Sequence, residues 1–139
     1  MYPEQIVIPM KEELTENGFS ELLTANDVEN TLKEEGTTLV VINSVCGCSA
    51  GTARPGVLMA VNNAAKKPTN ITTAFAGFDI EAVNKVREHL MPHPPSSPAI
   101  ALFKNGSLVH YIERHNIEGR SAQMIADNLM AAFDEHCEN

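Results

Sequence analysis

The sequence predicts an α/β fold: a mixed four-stranded sheet with helices on both faces, preceded by a helical extension over residues 1–36. Three observations carry it. Thr37-Thr38-Leu39-Val40-Val41-Ile42-Asn43 is a continuous β-branched and apolar run, as in a strand buried on both faces. Strand and helix patterns then alternate along the chain in the order β-α-β-α-β-β-α. Asn105-Gly106, between two further β-rich runs, is a hairpin turn signal. With 139 residues and 15.1 kDa the chain is one domain, long enough to bury a core.

The N-terminal 36 residues read as helical. Pro9 suits the start of a first helix, Gly18 breaks it, and Thr24 or Asn26 is a plausible N-cap for Val28 to Glu35, which Gly36 ends. Residues 48–66 follow the first strand as a helix, with Leu58, Val61, Ala64 and Ala65 at helical spacing. Pro55 within that helix predicts a kink or a late start. Residues 70–76 form the second strand and Ile80 to Met91 the next helix. Pro92, Pro94, Pro95 and Pro98 make a rigid loop. Ala99 to Lys104 and Leu108 to Glu113 are the last strands, and an amphipathic helix opened by Gly119 and Ser121 closes the chain. The two helical crossovers predict parallel strands, the hairpin an antiparallel pair.

Charge and composition narrow the function. The apolar fraction is 43% and the charged fraction 20%, both globular values. No run approaches the roughly 18 apolar residues of a membrane span, and the N-terminus lacks a signal-peptide pattern, so a cytoplasmic, reducing location is expected. The net charge of −8 argues against nucleic acid as a partner. The acids are concentrated at the two ends, and none lies between Glu35 and Asp79, a stretch that holds Arg54, Lys66 and Lys67.

Cys46 and Cys48 sit inside that acid-free stretch, where a strand ends and a helix begins. Unpaired backbone N–H groups and the helix dipole stabilise a thiolate there, which is the reactive form of cysteine. Cys46, the first of the pair, is expected to attack, and Cys48 to resolve. Gly47 between them is expected to allow the tight backbone that brings the sulfurs together. A disulfide closing so small a ring suits exchange better than permanent cross-linking. Ser97-Pro98, just before the third strand, is a candidate cis peptide. It would set the backbone of Ser97 beside the pair, where a disulfide substrate could add as a strand. Arg54, one turn past the pair, reads either as a receptor for the carboxylate of a small thiol or as a solvated helix charge.

Bland readings stand beside these. Two cysteines fall short of the four ligands of a zinc site, so no metal is expected unless His115 or a second copy contributes. His115 reads as a residue fixing the turn into the last helix, or as one tuning the cysteine pair. Cys137, next to His136 near the end of the chain, reads as an exposed free thiol in a fraying segment.

The order of elements, the strand-end cysteine pair, Pro55 and Ser97-Pro98 together resemble the thioredoxin superfamily. More closely, the run Thr38 to Cys48, Ala76-Gly77, Ser96-Ser97-Pro98 and Arg114-His115-Asn116-Ile117-Glu118-Gly119 resemble the bacilliredoxins, over nearly the whole chain. That resemblance implies a cytoplasmic bacterial thiol–disulfide oxidoreductase with a thioredoxin-like fold. It implies removal of bacillithiol, or an analogue, from protein mixed disulfides, the small thiol being a co-substrate and no cofactor being bound. Cys46 would accept the thiol and Cys48 release it. Thiolated client proteins are the implied partners. A disulfide isomerase using the same pair is the runner-up, and a metal-binding or scaffold module is the reading from a different class.

Overall fold

The computed structural model describes residues 1–138. Helix α1 (Glu4–Thr15) is followed by a two-residue strand β1 (Ser20–Glu21) and helix α2 (Ala25–Lys33). Strand β2 (Thr37–Asn43) runs into the cysteine segment. A π-helical turn, Ser49–Ala53, then passes into α3 (Arg54–Asn63), which carries Pro55 in its first turn. Strand β3 (Asn70–Phe75), α4 (Ile80–Leu90), the hairpin β4 (Ala99–Lys104) and β5 (Ser107–Ile112), the short α5 (Arg114–Ile117) and α6 (Ala122–His136) complete the chain.

The sheet is mixed and has five strands in the order β1-β3-β2-β4-β5. β2 is central and wholly buried, and its alternate residues feed two cores. Leu39 and Val41 pack with Leu14 of α1, Val57 and Ala60 of α3 and Leu129 and Phe133 of α6. Val40 and Ile42 pack with Val28 and Leu32 of α2 and Val83 and Val86 of α4. Helices thus cover both faces, as the two-sided apolar run requires. α3 and α6 approach closely at Gly56, where an added Cβ would lie 2.8 Å from Ile125 Cβ and 2.9 Å from the Ala122 carbonyl. The hairpin turn has positive φ at both Asn105 (50°) and Gly106 (83°), the turn that Asn-Gly signals.

Three expectations change. The fifth strand is β1, which pairs parallel to β3 through Ser20↔Thr72 and Glu21↔Thr73. Two residues leave no alternation to read, so the segment passed for helix. The second crossover does not return a parallel strand: β4 pairs antiparallel to β2, from Ile42↔Ala99 to Thr37↔Lys104. α4 spans about 16 Å at 1.5 Å per residue. The next three residues turn, His93 N–H donating to the Leu90 carbonyl, and the proline-rich residues 94–98 span up to about 16 Å. They bring the chain back to the end of the sheet where β2 and β3 finish. Finally, α1 begins at Glu4 and holds Pro9 in its interior. The lost backbone bond is offset by anchors on both sides of it. Val7 and Leu14 are fully buried, Tyr2 N–H donates to the Gly77 carbonyl, and Lys11 pairs with Asp79 at 2.9 Å. No helix is long and apolar enough to cross a membrane among the described residues.

Candidate active site: the Cys46–Cys48 pair

β2 ends at Asn43, and the helical hydrogen bonding begins three residues later. The Cys46 carbonyl accepts from Ser49 N–H (2.9 Å) and Ala50 N–H (3.2 Å), and Cys46 N–H donates to Ser44 Oγ (3.2 Å). Cys46 Sγ accepts from the Cys48 backbone N–H at 3.4 Å, as a capping side chain does at a helix start. The two sulfurs are in direct contact, Sγ to Sγ 2.6 Å.

The two thiols have opposite proton affinities. Cys46 is held below the ordinary cysteine range, first by the Cys48 S–H donating to it, against an opposing effect of burial. The Cys48 backbone N–H, the positive charge of Arg114 and the Ser49 backbone N–H add to the lowering. Cys48 is pushed up, first by burial and then by its hydrogen bond and proximity to Cys46. One sulfur of the pair is therefore favoured as the thiolate, and the other keeps the proton.

Gly47 is exposed, its φ lies outside the left-handed region, and an added Cβ would meet nothing within 4 Å. The backbone that joins the sulfurs does not demand glycine, contrary to the expectation for this residue. The Ser97-Pro98 peptide is cis, and so is Met91-Pro92. Pro98 is buried and Ser97 partly buried. Continuing the β2–β4 register by one residue from Ile42↔Ala99 sets Pro98 opposite Asn43, on the way into the cysteine segment.

Arg54 is the main correction. It is neither a solvated charge nor a receptor at the surface: it is 1% exposed. Its Nη1 donates to Asn43 Oδ1 (2.9 Å), the Ser44 carbonyl (2.9 Å) and Ser49 Oγ (3.1 Å). Its Nε lies 3.1 Å from Glu13 Oε1 of α1, close enough for ionic attraction, although the N–H is not aimed to make a hydrogen bond. Asn43 Oδ1 also accepts from Ser44 N–H and Ser49 Oγ–H, and Asn43 Nδ2 donates to the Met10 carbonyl of α1. A buried guanidinium thus ties both flanks of the cysteine segment to the end of β2 and to α1. The Ser49–Ala53 turn that precedes Arg54 is π-helical, which rotates the residues after it relative to an α-helix.

His115 is 73% exposed and lies 3.7 Å from Glu113. The cation that acts on the pair is its neighbour Arg114, which pairs with Glu118 at 2.8 Å and whose backbone N–H donates to Ser96 Oγ at 2.7 Å. The sequence holds Arg114 in the same short segment, but nothing in spacing distinguishes it from His115. Cys137 is not an exposed thiol. It is 3% exposed, packs with Phe133 in the core under α6, and is pushed up in pKa by burial. Among the described residues no three His, Cys, Asp or Glu side chains cluster as metal ligands.

Comparison with known proteins places the chain in a family. A family model described as disulphide isomerase matches residues 2–137. A bacilliredoxin of Cytophaga hutchinsonii is 60% identical over 135 residues, covering 97% of this chain and 99% of that protein. A bacilliredoxin of Halalkalibacterium halodurans is 52% identical over 138 residues, covering 99% and 95%. Among solved structures, mitochondrial thioredoxin 3 from Saccharomyces cerevisiae in its oxidized form superposes with a TM-score of 0.60. Its sequence is 14% identical, covering 88% of this chain and 98% of that one, a likeness of fold. With a thioredoxin fold, a thiol pair at the end of its central strand and relatives matched over nearly the full length, the chain belongs to the bacilliredoxin family of thiol–disulfide oxidoreductases.

Proposed function

We propose that this oxidoreductase removes a low-molecular-weight thiol, bacillithiol or an analogue, from mixed disulfides on client proteins. The Cys46 thiolate attacks the small-thiol sulfur of the mixed disulfide. A Cys46–thiol disulfide forms, and the client cysteine leaves as a thiolate that takes a proton from water. Cys48 then loses its proton and attacks Cys46 Sγ, releasing the small thiol and leaving the Cys46–Cys48 disulfide. Two electrons pass from the pair to the client's disulfide, and a further thiol reductant restores the pair. Alternatively a second small thiol regenerates Cys46 directly. The small thiol is a co-substrate, no bound cofactor takes part, and the setting is a reducing cytoplasm.

The observation that carries this reading is the asymmetry of the pair. Cys46 is stabilised as the thiolate while Cys48 keeps its proton in contact with it, which suits a nucleophile and a resolver. Exposed Gly47 leaves the pair open to a large disulfide. The Ser97 backbone, ahead of the cis Pro98, offers the client a strand to pair with. Arg54 supports the segment from below and does not meet the substrate. Isomerisation of wrong protein disulfides, by the same attack of Cys46, is the second reading; the disulphide isomerase description of the matching family favours it.

Intact mass after challenge with bacillithiol disulfide and glutathione disulfide tests the scheme. Cys48→Ala is expected to hold one thiol adduct at Cys46, while the parent protein passes to a mass two hydrogens lighter. The scheme fails if Cys46 takes no adduct in Cys48→Ala, or if the adduct sits on Cys137. Reactivation of a misoxidised protein without any small-thiol preference would move the assignment to isomerisation.

A further inference from the structure

A groove of about 340 Å³ lies between β5 and α6, at the lower end of the size range of small-molecule sites. Three observations set it beside the cysteine pair. Ile112, on its wall, pairs with Ile100, and the adjoining Ala99 pairs with Ile42, so this end of β5 is level with the end of β2 that leads to Cys46. Thr52 Oγ1 donates to the Arg120 carbonyl at 3.0 Å, and Thr52 follows Cys48 by about one helical turn. Asn116, also on the wall, is two residues from Arg114, whose charge reaches both sulfurs.

The lining has a particular chemistry. It holds no carboxylate, in a chain with 18 acids, and it holds Arg120. Arg54 and Arg114 each have a carboxylate partner. Arg120 has none within 4 Å among the described residues. The Asn116 amide oxygen accepts from Glu113 N–H, which turns its NH₂ the other way, and that NH₂ bonds no described residue. Asn128 spends its oxygen on His110 and likewise keeps its NH₂. Half-exposed Met124 adds an apolar surface. A guanidinium and two amide donors around an apolar patch fit a ligand with a carboxylate, further oxygen acceptors and a short carbon body.

We infer that this groove receives the non-reacting part of the small thiol, with its carboxylate on Arg120 and its sulfur presented to Cys46. The inference rests on the de-thiolating reading and adds the determinant of which thiol is accepted. The exchange step is unchanged: Cys46 forms the new S–S bond, the old S–S bond breaks, and the leaving thiolate is protonated by water.

The test uses the full chain carrying Cys48→Ala, so that each reaction stops at the Cys46 adduct. Rates of adduct formation are measured by intact mass with two anionic probes, bacillithiol disulfide and glutathione disulfide, and with neutral 2-hydroxyethyl disulfide. The quantity read is the anionic-to-neutral rate ratio, which cancels any change in Cys46 itself. Arg120→Gln should lower the ratio roughly tenfold for the preferred anionic probe, the scale of one charge-assisted hydrogen bond. Arg120→Lys should recover part of it, and the loss should shrink in high salt. A ratio within about twofold of the parent for both probes overturns the groove assignment while leaving de-thiolation intact. Failure of Cys46 to react with any of the three disulfides overturns the underlying reading instead.

Discussion

Replacing Arg54 by methionine removes the guanidinium and keeps an unbranched chain of similar length in a site that is 1% exposed. Nη1 carries two protons and faces three acceptors, so it makes at most two full hydrogen bonds. Bonds from a charged donor contribute about 1.5–3 kcal/mol each, a gross loss of about 3–6 kcal/mol. Some of this is returned, because methionine does not carry the desolvation cost of a buried charge. Asn43 Oδ1 also stays satisfied by Ser44 N–H and Ser49 Oγ–H. The Ser44 carbonyl is left short of a donor. Glu13 is 46% exposed and simply hydrates, so its ion pair adds little. The net expectation is a loss of about 2–4 kcal/mol, within the stability of a domain of this size. At about 2–4 °C per kcal/mol this lowers Tm by roughly 4–16 °C. Urea and thermal unfolding of the reduced protein, followed by circular dichroism, measure it, with Arg54→Lys expected to fall in between. A methionine variant within about 1 kcal/mol of the parent would refute the claim that this guanidinium holds the cysteine segment in place.

Three further outcomes follow from the site. Because the Cys48 S–H is the largest influence lowering Cys46, Cys48→Ala should move the pH midpoint of Cys46 alkylation upward, and Arg114→Gln should move it upward by less. In the parent, alkylation should rise with pH through a midpoint below that of an ordinary cysteine, since the thiolate reacts; a variant midpoint unchanged from the parent contradicts the assigned cause. Gly47→Ala should fold with stability within about 1 kcal/mol of the parent, since its φ and the open space around it accept a Cβ, and a larger loss in urea unfolding would contradict the geometry. Cys137→Ser should keep the rate of adduct formation at Cys46, because Cys137 packs beside Thr37 at the far end of β2, about 20 Å away along seven strand residues. The serine hydroxyl keeps Thr37 as a hydrogen-bond partner, so the cost in stability should stay near about 1 kcal/mol.

The cysteine pair and the strand that delivers it were legible because each rests on a local signal. Four consecutive apolar residues, Leu39 to Ile42, lie in a β-branched run, and its end coincides with the start of a helix. The Asn-Gly hairpin was legible for the same reason. β1 was not, because two residues carry no period, and the direction of β4 was not, because it depends on how far the proline loop carries the chain. Arg54 and Cys137 escape a local reading for a shared reason: their neighbours in sequence, an acid-free helix and a chain end, do not report their burial. The π-helical turn before Arg54 and the packing under α6 are set by tertiary contacts that local pattern does not encode.

The same contacts change how the N-terminal segment is understood. As a sequence it is an acidic helical extension that leads into the fold. In the structure, α1 supplies the Met10 carbonyl to Asn43 and Glu13 to Arg54, and it is pinned to the strand ends by Lys11 on Asp79 and Tyr2 on Gly77. Asp79 in turn accepts from Phe75 N–H at the end of β3. Three of these anchors are polar groups at the C-terminal edge of the parallel strands β2 and β3, the edge from which Cys46 emerges. A thiolate placed there depends on N–H groups that point at it, and those point correctly while Ser44 and Ser49 are held from below. α1 thus braces the redox site from below, through Glu13 on the buried Arg54 guanidinium and the Met10 carbonyl on Asn43.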